Sequence, residues 1–69
     1  MTDLTNAVAG DEVWCPEYGW GKITVADGIE PYPIKVIYED DTIETYTLEG
    51  KYETDDDEFS IFWEEEYNI

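Results

Sequence analysis

Nineteen carboxylate side chains share this 69-residue chain with three lysines, no arginine and no histidine, for a net charge of −16. No fold can pair that excess internally, because three cations offset at most three anions. The carboxylates must lie in solvent, and the native state must repel itself most strongly at low ionic strength. The core has to come from the rest. A chain of this length forms one domain and buries only about 60% of the surface it exposes when unfolded. Domains so small commonly add disulfides, a metal or oligomerisation. Cys15 is the sole cysteine, so an internal disulfide is impossible, and one thiol without histidine makes no zinc set. Aromatic mass takes that place. Trp14, Trp20, Trp63, Phe59, Phe62 and six tyrosines make 16% of the chain, each large ring able to bury ~150–250 Å². Disordered acidic chains are poor in such residues, so a folded domain is expected.

Residues 1–9 read as a short helical or disordered lead-in that ends at Gly10. Beyond it come short β-rich segments broken by Gly, Pro and Asp. The first strand is expected over Glu12–Pro16, with Val13 and Cys15 on one face and Trp14 on the other. Tyr18-Gly19-Trp20-Gly21 reads as a turn whose glycines permit positive φ or close backbone approach. Lys22–Val25 alternates, so Ile23 and Val25 should point inward. Asp27-Gly28 breaks that strand and Pro31-Tyr32-Pro33 leads into the next, where Ile34, Val36 and Tyr38 share a face. After the acidic turn Glu39-Asp40-Asp41, Thr42–Leu48 returns antiparallel, with Tyr46 and Leu48 inward and Ile43 a rival. Glu49-Gly50-Lys51 is another turn. Asp55–Glu58 is an acidic loop, Phe59–Trp63 a last short strand, and 64–69 an acidic tail. Five short strands with tight turns predict an all-β domain over 10–63, a small five-stranded antiparallel SH3-like or Tudor-like barrel. An OB-fold normally needs more residues and a helix. A meander dimerising along an open edge is the alternative.

The residues Gly10-Asp11-Glu12-Val13-Trp14 and Tyr18-Gly19-Trp20-Gly21-Lys22-Ile23 resemble the first hairpin of SH3-like and Tudor-like domains. Among these is the RNA-polymerase-interacting module of CarD-type regulators and transcription-repair coupling factors. A closer resemblance is to small proteins of bacteriophages and prophages, carried by Val13-Trp14, Gly19-Trp20-Gly21, Tyr32-Pro33-Ile34, Val36, Tyr38, Tyr46-Thr47, Glu49-Gly50-Lys51-Tyr52 and Ile61-Phe62-Trp63. It spans residues 10–63 and implies a fold and an origin. It implies no activity, since fold analogy does not supply one. Tudor-like domains that bind methylated lysine use an aromatic cage, and the sequence does not say which tyrosines would form it.

Catalysis is not expected. There is no histidine, no carboxylate pair stands out among nineteen, and Cys15 lies beside Trp14, Pro16 and Glu17, which do not activate a thiol. Asp55-Asp56-Asp57-Glu58 lacks the glycine of a calcium loop, since Phe59 and Ser60 follow, so no metal or cofactor is expected. Lys22, Lys35 and Lys51 stand singly, which argues against direct nucleic-acid binding and against anionic membrane. No apolar run approaches ~20 residues, and Met1–Leu4 does not read as a signal peptide, so a cytoplasmic protein with reduced Cys15 is expected.

The carboxylates are the sharpest feature. Eight lie between Glu53 and Glu66 and three form the 39–41 turn. Alternate residues of an extended chain are ~6.6–6.8 Å apart. A DNA strand carries a charge every ~3.4 Å. Rows of carboxylates on a curved sheet thus approach the charge density of a duplex edge. The leading expectation is a phage-encoded protein that inhibits a host nucleic-acid-processing or defence protein by mimicking DNA charge. Its partner surface would be Glu39, Asp40, Asp41, Asp55, Asp56, Asp57, Glu58, Glu64, Glu65 and Glu66, with Trp20 as an anchor. The alternatives are a Tudor-like module that binds RNA polymerase or another transcription protein through its sheet edge and aromatics, and a phage structural homo-oligomer.

Overall fold

The alternation read at residues 12–15 and 34–38 sets the strands of the sheet. In the computed structural model, which describes residues 2–63, β1 (Glu12–Cys15), β2 (Gly19–Val25), β3 (Ile34–Tyr38) and β4 (Ile43–Tyr46) form one antiparallel sheet in the order β1-β2-β3-β4. There is no helix among the described residues. The core side carries Val13 and Cys15 from β1, Ile23 from β2, Ile34, Val36 and Tyr38 from β3, and Tyr46 from β4, all buried. Ile61 closes over them. Two buried phenols meet at its centre, where the Tyr38 and Tyr46 hydroxyls hydrogen-bond at 2.6 Å. Tyr18 packs on Tyr38 with ring centroids 4.9 Å apart, and Tyr52 on Tyr46 at 5.1 Å.

Several expectations need correction. The turn before β2 is tighter than 18–21. Gly19 takes a positive φ of 85° and already pairs with Cys15, so Trp20 lies within β2, opposite Trp14. Gly21 serves the other glycine purpose. A Cβ there would meet Tyr38 Cε1 and Val36 Cγ1, both at 2.6 Å, so the Tyr38 ring can lie across β2 only because no side chain is present. Val25 is half-buried instead of inward, because the register shifts between Ile23 and Val25. Ile43 is 57% exposed, which leaves Tyr46 inward and Leu48 packed against the core edge.

Residues 2–9 of the lead-in form no helix, and part of that segment is structural. Leu4 is fully buried, and its N–H donates to the Leu48 carbonyl at 2.8 Å. The Thr2 hydroxyl donates to the Ile61 carbonyl at 3.1 Å. The fifth strand over Phe59–Trp63 shrinks to a single bridge. Phe62 exchanges two main-chain hydrogen bonds with Trp14, at 2.8 and 2.9 Å. Upstream, the N–H groups of Ser60 and Ile61 both donate to the Gly50 carbonyl, so that backbone serves a turn and cannot continue a ladder. The sheet therefore has four strands and does not close. The acidic tail at 64–69 lies outside the described residues.

Gly21→Ala should cost about 1–3 kcal/mol, the usual range for overpacking a filled site. Urea unfolding followed by tryptophan fluorescence reads this directly. An unchanged midpoint would mean the Tyr38 ring does not lie where it is placed.

Candidate functional site

The core face is filled, so the functional question moves to the opposite face and the rims. Alternation sends Glu12 and Trp14 of β1, Trp20 and Lys22 of β2, Lys35 and Ile37 of β3, and Ile43 and Thr45 of β4 to the outer face. The registers align them across the sheet: Trp14 lies opposite Trp20, and Glu12, Lys22, Ile37 and Ile43 follow one another strand by strand. Trp14 and Trp20 pack edge to face, 5.3 Å apart at 67°, which is a favourable aromatic geometry. The bridge places Phe62 beside Trp14. Phe59 meets Phe62 at 6.4 Å, and the Lys51 ammonium lies 5.2 Å from the Phe59 centroid. The charged side chains of this face are one carboxylate and two lysines. In a chain of net charge −16, the outer face carries only Glu12 as a carboxylate among its strand residues.

Topology explains where the carboxylates go. In an antiparallel meander the β1–β2 and β3–β4 turns share one end, and the β2–β3 connection lies at the other. Glu39, Asp40 and Asp41 are exposed in the β3–β4 turn. Asp41 adopts φ 68°, which Asp tolerates better than most residues, and its N–H donates to the Tyr38 carbonyl at 2.9 Å. Asp40 accepts from the Thr42 N–H at 3.0 Å. The Thr42 hydroxyl, together with that N–H, holds the Asp40 carboxyl below its ordinary value of 3.8. Because Gly21 pairs with Tyr38, this turn abuts Trp20. Glu39 and Trp20 line one shallow groove of about 380 Å³ with Glu12, Lys22 and Ile37.

The second acidic group lies elsewhere. Tyr32, in the β2–β3 connection, donates to the Glu53 carboxylate at 2.7 Å. That bond, with the charges of Glu53 and Asp55 beside it, raises the Tyr32 phenol above 10. Glu53 is thereby tied to the end of β3 opposite the 39–41 turn, with Asp55 near it. Asp55, Asp57 and Glu58 are exposed, while Asp56 is half-buried and accepts from the Glu53 N–H at 3.2 Å. The structure thus brings Trp20 together with Glu39 of the 39–41 turn, while Asp55–Glu58 lies outside that groove. Glu64, Glu65 and Glu66 lie outside the described residues. Sequence reasoning missed Trp14, Lys22, Ile37 and Ile43 as one surface. Strand alternation marked each singly, but only the register joins them.

The remaining chemistry is quiet. Burial pushes the Tyr38, Tyr46 and Tyr52 phenols well above 10, so they stay neutral in the core. Cys15 is buried and unpaired in any disulfide. Among the described residues no group of three acids or thiols is placed to hold a metal ion, and no helix is long and apolar enough to cross a membrane. No ion pair forms among them. No protein-family model, curated protein or solved structure matches the chain.

The turn geometry makes a pH prediction. A carboxyl held below its unfolded value stabilises the native state above that value, and the benefit disappears as pH falls through the folded pKa. In an NMR titration, Asp40 should titrate below 3.8, and Thr42→Val should move its midpoint upward. An unmoved midpoint would show that the Thr42 hydroxyl does not hold the carboxylate.

Proposed function

We propose that this chain is a binding protein that presents carboxylates, anchored by Trp20, to the basic nucleic-acid-binding surface of a protein partner, and so competes with nucleic acid there. One observation carries the reading: the exposed carboxylates of the 39–41 turn meet no lysine in an ion pair and stand against a half-buried tryptophan. Tryptophan is among the residues most enriched at binding hot spots, and unpaired carboxylates steer a basic surface toward it, raising association rates by about 10–10³. The second acidic group, Asp55–Glu58, widens the field beyond that turn. The phage resemblance supports a host protein as the target, with inhibition as the outcome. We read the sheet as most of an SH3-like barrel. The Phe62 bridge to β1 and the Leu4 bond to Leu48 support that reading, since both draw the chain around the core.

The outer face favours a second reading, a Tudor-like interaction module. Trp14, Trp20, Ile37 and Ile43 form an apolar surface with few carboxylates. A partner held there would bind with little salt dependence and would ignore DNA.

Affinity capture from a bacterial lysate at low salt separates the two. The reading predicts a retained nucleic-acid-binding protein that both moderate salt and duplex DNA release. Converting Glu39, Asp40 and Asp41 to their amides should lower its association rate about tenfold, within the range electrostatic steering supplies. Retention that survives neutralisation and DNA but fails in Trp20→Ala would contradict it.

A further inference from the structure

The β4 edge is the part of the sheet left without a neighbour. Tyr38 N–H donates to the Thr42 carbonyl, so along the β3–β4 ladder the hydrogen-bonded pairs are Val36 with Glu44 and Ile34 with Tyr46. The alternate residues, Ile43 and Thr45, therefore turn their N–H and C=O groups away from β3. No described residue accepts from or donates to them. The same alternation on the opposite edge points the Trp14 groups outward, and there Phe62 takes them both. The β1 edge is met by Phe62 at Trp14, and the β4 edge carries four open main-chain groups on two exposed residues. Such an edge is a template for another strand.

Charge decides what can lie there. Between Glu39 and Gly50 the chain holds five carboxylates and no cation. Glu44 sits on the inner face, half-buried and opposite Val36, while Ile43 stands 57% exposed on the outer face. A second copy paired edge to edge would set these carboxylates against their own equivalents, and like charges across strands are destabilising. An ordinary neutral strand would leave Glu44 facing nothing.

We propose that β4 receives an extended, lysine- or arginine-rich segment of a protein partner as an added antiparallel strand. The guest residues opposite Ile43 and Thr45 exchange main-chain hydrogen bonds with them and lay β-branched or aliphatic side chains on the outer face. The residue between them faces Glu44 with a cation, and further cations extend toward Glu39–Asp41. This mode rests on the reading above that the partner is basic, and it names the part of the partner that docks.

A fluorescein-labelled eight-residue peptide alternating valine and lysine is the probe, measured by anisotropy at low salt. Antiparallel addition uses the valine amides, because residues opposite Ile43 and Thr45 share their face. N-methylating the valine amides should weaken binding at least tenfold, and N-methylating the lysine amides should leave it nearly unchanged. The two peptides carry the same charge, and the protein is untouched. Thr45→Pro and Glu44→Gln should each weaken the parent peptide with the circular dichroism spectrum preserved. If both methylated peptides bind like the parent, with salt-sensitive affinity, the edge is not used and only the basic-partner reading stands. If the parent peptide fails to bind at low salt, or binds without salt dependence, that reading fails too. A dimer in sedimentation that Thr45→Pro dissolves would give the edge to a second copy and overturn the proposal.

Discussion

The constraint on which the rest depends is charge without counter-charge. Nineteen carboxylates with three lysines can neither enter a core nor neutralise one another, so every acidic residue has to be carried on a turn, a rim or a strand edge. A sheet with one buried face meets that demand in few residues. Its inner side holds aliphatic residues and neutral phenols, and the hydroxyls of Tyr38 and Tyr46 satisfy each other at 2.6 Å without admitting an ion. The lysines are not used to stitch carboxylates to the surface. Two stand on the outer face, and the third lies over the Phe59 ring.

That division gives the molecule three surfaces of different character. Exposed loops carry the carboxylates of the 39–41 turn and most of those of the 55–58 loop. The outer face is aromatic and aliphatic, with Trp14 and Trp20 in edge-to-face contact. The β4 edge offers main-chain groups under a carboxylate. Trp20 and Glu39 line the same groove, so under the proposed function an apolar anchor and an acidic turn would meet one partner together. An acidic stand-in for DNA would require charge alone, whereas the proposed mode would add contact area at Trp20 and, at the β4 edge, a direction for a partner's backbone.

Much of this was legible in the residues. Alternation located β1 and β3, placed Val13, Cys15, Ile34, Val36 and Tyr38 on one face, and assigned two glycines to positive φ and close approach, which Gly19 and Gly21 divide between them. What was not legible depends on contacts distant along the chain. Leu4 sits in a segment without period, and its burial follows from a hydrogen bond to Leu48. The segment 59–63 has strand-like composition, yet Gly50 takes two of its N–H groups. Which acidic cluster stands beside Trp20 was not legible either, since only the β2–β3 register sets the 39–41 turn against it.

The central claim is that the fold stands against unscreened self-repulsion, with its carboxylates free for a partner. Thermal unfolding across a series of sodium chloride concentrations tests this most directly. Exposed charges are screened over ~10 Å at 0.1 M and ~30 Å at 0.01 M. The melting temperature should therefore climb steeply from low to moderate salt and then level. A flat curve would contradict the account, because it would mean the carboxylates do not repel one another in the native state.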